Sequence, residues 1–210
     1  MNAQSREAHA SLLAISDSGR RWGTHPPPDP KKDVFVPNSN KCDKINKAQM
    51  ATASGTIPPK AARRIQRELT EFMQSPPPFV PKMAVDNANI RHMYFLIEGP
   101  PDSPYFGGEY VLRAELPSNY PMAAPVLRML TPSGRFEVNM PICTTFTHYH
   151  PESWSPTYNF TNILISFVSF MLDDTPGSVG SIITTAAVRE AFAKESKSYN
   201  AIKGYYDMWV

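Results

Sequence analysis

Four short β-type stretches follow one another between residues 83 and 130, and this succession leaves few folds open to the chain. Each stretch is rich in β-branched or aromatic residues, and segments of glycine and proline separate them. The stretches cover residues 83–85, 91–98, 110–116 and 126–130. Because consecutive strands joined by short turns pair antiparallel, the pattern predicts a four-stranded antiparallel meander.

Helical patterns flank this predicted meander on both sides. Pro59 suits the first turn of a helix, and apolar residues then recur at helical spacing until the prolines at 76–78. These apolar residues are Ala61, Ala62, Ile65, Leu69, Phe72 and Met73. Residues 159–172 and a region from about residue 184 also show helical patterns. Helices segregated from an antiparallel sheet indicate an α+β fold.

Residues 131–157 lack periodicity, yet they contain the aromatic residues Phe136, Phe146, Tyr149 and Trp154. A connection of this length is usually functional or disordered. The aromatic residues favour an ordered, packed loop.

Residues 1–57 are predicted to be a basic, largely disordered leader, since their apolar residues are few and scattered. Residues 1–60 carry nine Lys/Arg against five Asp/Glu. We interpret the leader as a solvated tail, with Val34 to Val36 as an alternative packing anchor.

The formal net charge of the chain is only +2, which does not indicate a nucleic-acid partner. The longest apolar run, 163–172, is about half of a bilayer span, so no transmembrane segment is predicted.

The chain has two cysteines, Cys42 and Cys143, too few for a disulfide scaffold. We expect both to be reduced in a cytosol-like compartment. Cys143 lies in the predicted ordered loop, where a reactive thiol and a buried structural cysteine are both compatible with the sequence.

Several motifs in order resemble ubiquitin-conjugating enzymes. They read GPPDSPYFGG at 99–108, YPMAAP at 120–125, TPSGRF at 131–136, and HPESWSP at 150–156 after the cysteine. The last two are similar to the J subfamily, whose members are usually tail-anchored in the endoplasmic reticulum membrane. The resemblance covers roughly residues 58–200 and implies a catalytic domain over 58–210. No membrane tail is apparent, and a soluble relative and a shortened chain both remain open.

The resemblance implies that Cys143 accepts ubiquitin, or a ubiquitin-like protein, as a thioester from an activating enzyme. The modifier then passes to a protein substrate, usually with a RING-type ligase. ATP is used by the activating enzyme, so no cofactor or metal is predicted for this chain. Lysine and hydroxyl acceptors both remain open. The implied location is cytoplasmic, with association with the endoplasmic reticulum and its degradation pathway left open.

The resemblance also identifies residues that assist Cys143. Ser133 occupies the position of the family's oxyanion-stabilising asparagine, and Asn139 is a substitute donor or simply a turn residue. His150 is a candidate general base, although a structural histidine bonded within the loop is favoured, as it is for His148. Asp173 and Asp174 either orient the acceptor lysine or are solvated turn residues near Pro176 and Gly177. The roles of Ser133, Asp173 and Asp174 come from the family, whereas Asn139 and the two histidines are candidates because they lie close to Cys143 in the sequence.

Partner surfaces follow from the same resemblance. The basic residues Arg63, Arg64 and Arg67, placed on the exposed face of the first helix, match the surface that contacts the activating enzyme. Met122 matches the first ligase-binding loop, and the second comprises Ser155, Pro156 and Thr157.

Two rival functions remain open. One is a catalytically weakened ubiquitin-binding variant, because Ser133 replaces an asparagine. The other is a cysteine hydrolase that pairs Cys143 with His148 or His150.

Overall fold

The computed structural model describes residues 58–209, except 87, 88, 174 and 176, together with the backbone of Val34–Phe35. The strands are β1 (Val34–Phe35), β2 (Lys82–Asp86), β3 (His92–Glu98), β4 (Glu109–Glu115) and β5 (Val126–Met129). The helices are α1 (Pro59–Gln74), α2 (Phe160–Leu172) and α3 (Ala186–Ile202), followed by a 3-10 helix at Tyr205–Trp209. The predicted helices and strands are thus all present.

The strands form one antiparallel sheet in the order β1-β2-β3-β4-β5. Strands β2 to β5 are the predicted meander, with Phe95 opposite Leu112 between β3 and β4. Strand β1 was expected only as an alternative packing anchor, and it pairs with β2 at the sheet edge, Phe35 opposite Val85. The rest of the predicted leader, including Cys42, lies outside the described residues, so its disorder stays a prediction.

The two faces of the sheet bury different sets of side chains, because successive residues of a strand point to opposite faces. On one face, Phe95 and Leu112 pack in the main core with α1 and α2. On the other face, Tyr94 and Val111 pack beneath Tyr205 of the 3-10 helix. The sheet is therefore covered on both faces by helical segments of the chain itself.

The loop 131–157 is packed, as predicted. Phe136 is buried, with its ring 5.4 Å from that of Phe167 in α2, and the Ile142 N–H donates to the Leu127 carbonyl at 2.9 Å. These contacts fix the loop between α2 and the sheet.

Within the described residues, no helix combines the length and apolar character that crossing a membrane requires.

Candidate active site

Cys143 lies in a segment that is hydrogen-bonded on both sides. Its backbone N–H donates to the Val179 carbonyl at 3.0 Å, and the preceding residue, Ile142, donates to β5. The Cys143 side chain is half-buried and its thiol is free. A fixed backbone and a partly exposed side chain are compatible with a nucleophilic cysteine, and the partial exposure argues against a fully buried structural cysteine.

His150 lies directly beside this thiol. Its Nε2 atom is 3.3 Å from Cys143 Sγ, and its Nδ1 atom is 2.9 Å from a carboxylate oxygen of Glu152. Two successive turns bring the ring back to the cysteine, since the Thr147 N–H donates to Thr144 and the His150 N–H donates to Thr147. His150 is thus bonded within the loop, to Cys143 and to Glu152, and its role as a general base stays a prediction.

Glu152 was not among the site residues predicted from the sequence. The signal available was its position two residues after His150 in the run HPE. Its own backbone N–H and the His150 ring hold the pKa of Glu152 below the usual range, so this carboxylate is charged at neutral pH.

Ser133 lies in a buried turn. Its hydroxyl oxygen accepts the backbone N–H groups of Arg135 at 3.2 Å and of Phe136 at 3.3 Å. Its side chain is fully buried, whereas Cys143 is half-exposed. The structure thus gives this hydroxyl a turn-forming role, and its oxyanion role stays a prediction.

Asn139 makes a turn, as its favoured interpretation held. Its φ of 61° lies in the left-handed region, which asparagine tolerates better than most residues. Its side-chain oxygen accepts from Arg113 at 3.2 Å, and its carbonyl accepts from Arg128 at 2.8 Å. These contacts tie Asn139 to β4 and β5, and its role as a substitute donor stays a prediction.

The remaining predicted residues have partners other than Cys143 and His150. His148 is exposed beside Tyr149, and desolvation together with the charge of Arg128 lowers its pKa. Asp173 follows α2, and its carboxylate accepts from the hydroxyl and the N–H of Thr175, which lower its pKa. Asp173 is therefore a turn residue and its acceptor-orienting role stays a prediction, while Asp174 lies outside the described residues.

The sequence model of the family described as ubiquitin-conjugating enzyme matches residues 64–202, which is more than half of the chain. The chain belongs to the ubiquitin-conjugating enzyme family. The predicted α+β fold of that family is therefore confirmed.

Curated relatives of this family member carry the same family name. This chain is 39% identical to ubiquitin-conjugating enzyme E2 6 of Candida glabrata, over 67% of this chain and 56% of the relative. It is 34% identical to human ubiquitin-conjugating enzyme E2 J1 over 66% of this chain and 43% of the relative. The chain spans about half the length of the curated relatives it matches. These relatives do not single out the J subfamily, because relatives named E2 6 are more similar than E2 J1.

A solved structure of human ubiquitin-conjugating enzyme E2 G1 is also similar. It shares 27% identity with a TM-score of 0.49, covering 57% of this chain and 99% of that chain.

The basic face of α1 in this ubiquitin-conjugating family member differs from the prediction. Arg63 and Arg67 are exposed, and Arg67 pairs with Glu71 at 3.4 Å. Arg64 was predicted to be exposed and is not: it pairs with the buried Glu68 and donates to the Tyr158 carbonyl at 2.9 Å. A buried carboxylate requires a paired cation, so Arg64 faces inward.

The two predicted ligase loops lie next to each other. Met122 in the first is 67% exposed, and Pro156 and Thr157 in the second are also exposed, with Ser155 half-buried. The indole N–H of Trp154 donates to the Pro121 carbonyl at 2.8 Å, which joins the loops immediately beside these residues. The residues 122 and 155–157 thus form one surface, here called the paired-loop surface.

Proposed function

We propose that the chain accepts ubiquitin, or a ubiquitin-like protein, on Cys143 from an activating enzyme and transfers it to a protein substrate. The observation that carries this proposal is the free, partly exposed Cys143 in a fixed loop, with its Sγ atom 3.3 Å from His150 Nε2. Membership of the ubiquitin-conjugating enzyme family supports the modifier class. An activating enzyme and a RING-type ligase are the partners that follow, with the latter on the paired-loop surface.

Both transfers are acyl exchanges at one carbon. In the first, the Cys143 sulfur bonds to the carbonyl carbon of the incoming thioester and the sulfur of the activating enzyme leaves. In the second, an acceptor nitrogen or oxygen bonds to that carbon and Cys143 leaves as the thiolate. Such reactions need an ionisable thiol and a group that moves protons, and Cys143 and His150 supply these.

A more detailed assignment is a J-type enzyme of the cytoplasm that associates with the cytosolic face of the endoplasmic reticulum and serves its degradation pathway. The J-like run between residues 131 and 156 supports the J-type part of this assignment, and one relative is named E2 J1. Imaging of the tagged chain beside a reticulum marker tests it. A uniform cytosolic and nuclear signal would contradict the association.

A non-reducing gel tests the central proposal. The full chain is mixed with activating enzyme, ATP and ubiquitin, with other modifiers in parallel. We expect an adduct that a thiol reductant removes, that is absent in Cys143→Ala, and that is retained in the matched variant Cys42→Ala. If no modifier gives an adduct, the proposal is wrong.

A cysteine hydrolase is the second candidate. Hydrolases also use a cysteine, a histidine and a third polar group in series, as Cys143, His150 and Glu152 lie here. Release of a fluorescent amine from the C-terminus of ubiquitin, dependent on Cys143, would favour it. We expect no release, since the chain belongs to a family of conjugating enzymes.

A further inference from the structure

Three functional groups lie in series at the active site. Cys143 Sγ is 3.3 Å from one ring nitrogen of His150, and Glu152 is 2.9 Å from the other. Glu152 is exposed and His150 is half-buried, so solvent reaches the outer end of the series. Neither the family comparison nor the sequence motifs give Glu152 a role.

The proton positions in this series follow from the chemistry of the groups. An ionised carboxylate only accepts hydrogen bonds, so His150 Nδ1 carries a hydrogen and donates it to Glu152. Nε2 then has two states toward Cys143. It accepts from the S–H of the neutral thiol, or it donates to the thiolate after taking that proton. Glu152 is therefore compatible only with the ring tautomer that can act as a base toward Cys143.

We propose that Glu152 is a positioning residue that holds His150 as the proton acceptor for Cys143 and its thioester. Its catalytic consequence rests on the proposed function.

During charging, the Cys143 S–H proton moves to His150 Nε2 as the Sγ–carbon bond forms. The bond from carbon to the sulfur of the activating enzyme breaks, and that sulfur leaves as a thiolate. The proton on His150 then passes to this thiolate through solvent. Glu152 stabilises the imidazolium that forms in between.

During discharge, the acceptor amine or hydroxyl loses its proton to His150 Nε2 as its bond to the carbonyl carbon forms. The carbon–Sγ bond breaks, and Cys143 leaves as a thiolate that takes the proton back from His150. One positioned base thus serves both half-reactions, and the same carboxylate supports it in each.

Charged groups of the neighbouring segments have other partners. Arg128 and Glu115 act on His148, and the Asp173 carboxylate is bonded to Thr175. The Cys143 backbone contacts the Val179 carbonyl, which is neutral. Among the described residues, Glu152 is therefore the charge with a hydrogen bond to the His150 ring.

The direction of the effect separates positioning from a simple electric field. A carboxylate that acts on Cys143 directly would disfavour the negative thiolate, so its removal would speed thiol reactions. A carboxylate that acts through His150 favours transfer of the thiol proton, so its removal would slow them. The two explanations predict changes of opposite sign.

The test is the rate at which iodoacetamide alkylates Cys143 in the full chain, followed by peptide mass spectrometry across pH. We expect Glu152→Gln to slow alkylation about threefold near neutral pH, the size expected for an exposed ion pair. The difference vanishes near pH 10, where a thiol ionises unaided. In a His150→Gln background, Glu152→Gln is expected to give no further slowing, because its effect passes through the ring. Glu137→Gln is the matched control, an exposed glutamate of the same loop, and is expected not to slow alkylation.

Equal rates for Glu152→Gln and the wild type at neutral pH, or a faster variant, would overturn the proposal. So would the same slowing in the His150→Gln background. The assay contains no ubiquitin, so it is separate from the adduct gel. If Glu152→Gln slows alkylation but the wild type forms no adduct in the gel, the proposed function is wrong and the positioning role of Glu152 still holds.

Discussion

The hydroxyl of Tyr120 lies 2.9 Å from one carboxylate oxygen of Glu68 and 3.0 Å from the other. Glu68 is only 2% exposed, and it also accepts from Arg64 and from the Phe160 N–H at 2.9 Å. Burial raises the pKa of Glu68, against the opposing hydrogen bonds of Arg64 and Tyr120. One carboxylate therefore joins α1 to the segment before β5 and to the start of α2.

Glu68→Ala is expected to destabilise the fold strongly. It leaves Arg64, Tyr120 and the Phe160 N–H without their acceptor in a buried site, a loss of about 3–5 kcal/mol in the free energy of unfolding. Urea unfolding followed by circular dichroism measures the change. Glu71→Ala is the matched control, one turn further along the same helix in an exposed ion pair, and is expected to cost less than about 1 kcal/mol. Equal losses in the two variants would contradict this role of Glu68.

Gly180→Ala is expected to disturb the backbone beside Cys143. Gly180 has a φ of +79°, and a Cβ atom there would lie 2.3 Å from the Pro141 carbonyl oxygen. Gly177 also has a positive φ, but a Cβ there would meet no atom within 4 Å. Both variants place an alanine at a positive φ, but only Gly180→Ala also crowds a neighbouring atom. Gly180→Ala should therefore lose about 1–3 kcal/mol more in unfolding free energy than Gly177→Ala. Charging of Cys143 should also slow in Gly180→Ala alone, and indistinguishable variants would refute the argument.

The periodicity of α1 was sufficient to predict its buried face. Ile65, Leu69 and Phe72 are all buried, because apolar residues at helical spacing have few other arrangements. The same pattern misplaced Arg64 and overlooked Glu68. Their positions depend on Tyr120 and Phe160, which are distant in sequence, and no local pattern encodes such a contact.

The active site shows the same division. The position of Cys143 in an ordered loop was predictable, because aromatic residues are spread over residues 131–157. The contact of Cys143 with His150 was not predictable, because it depends on two turns within residues 144–150 that have no periodic signature. Strand β1 was likewise missed as a strand, since two residues carry too little pattern and are held by pairing with β2.

Glu115→Gln is expected to change how stability depends on pH. Burial alone would raise the pKa of Glu115, but Arg113 and Arg128 outweigh it and lower this pKa from 4.5. Its contribution to stability is therefore complete above pH 4.5 and is lost as the pH falls through the lower folded value. At pH 7 we expect Glu115→Gln to lose about 1–2 kcal/mol of unfolding free energy.

The loss in Glu115→Gln should shrink as the pH falls below 4.5, because the carboxyl protonates first in the unfolded chain and then, at its lower pKa, in the folded protein. Urea midpoints measured at a series of pH values test this. Glu98→Gln, at the exposed end of β3, is the control and should follow the wild-type curve. A constant loss at every pH would show that packing, and not charge, accounts for the effect.

Met122→Asp is expected to weaken binding of a RING domain at least about tenfold, because a charge replaces an apolar contact at the paired-loop surface. Phe106→Asp is the matched control, since Phe106 is 68% exposed and Met122 is 67% exposed, but Phe106 lies in the turn between β3 and β4. Isothermal titration with a cognate ligase RING domain measures both affinities.

Trp154→Phe separates contact from positioning at the same surface. It keeps an aromatic ring but removes the N–H that donates to the Pro121 carbonyl, so the two loops lose their direct connection. We expect an intermediate loss of RING affinity, with charging of Cys143 unchanged. If Met122→Asp and Phe106→Asp weaken binding equally, the ligase does not use the paired-loop surface. If Trp154→Phe retains wild-type affinity while Met122→Asp loses it, the two loops bind the ligase without needing this hydrogen bond between them.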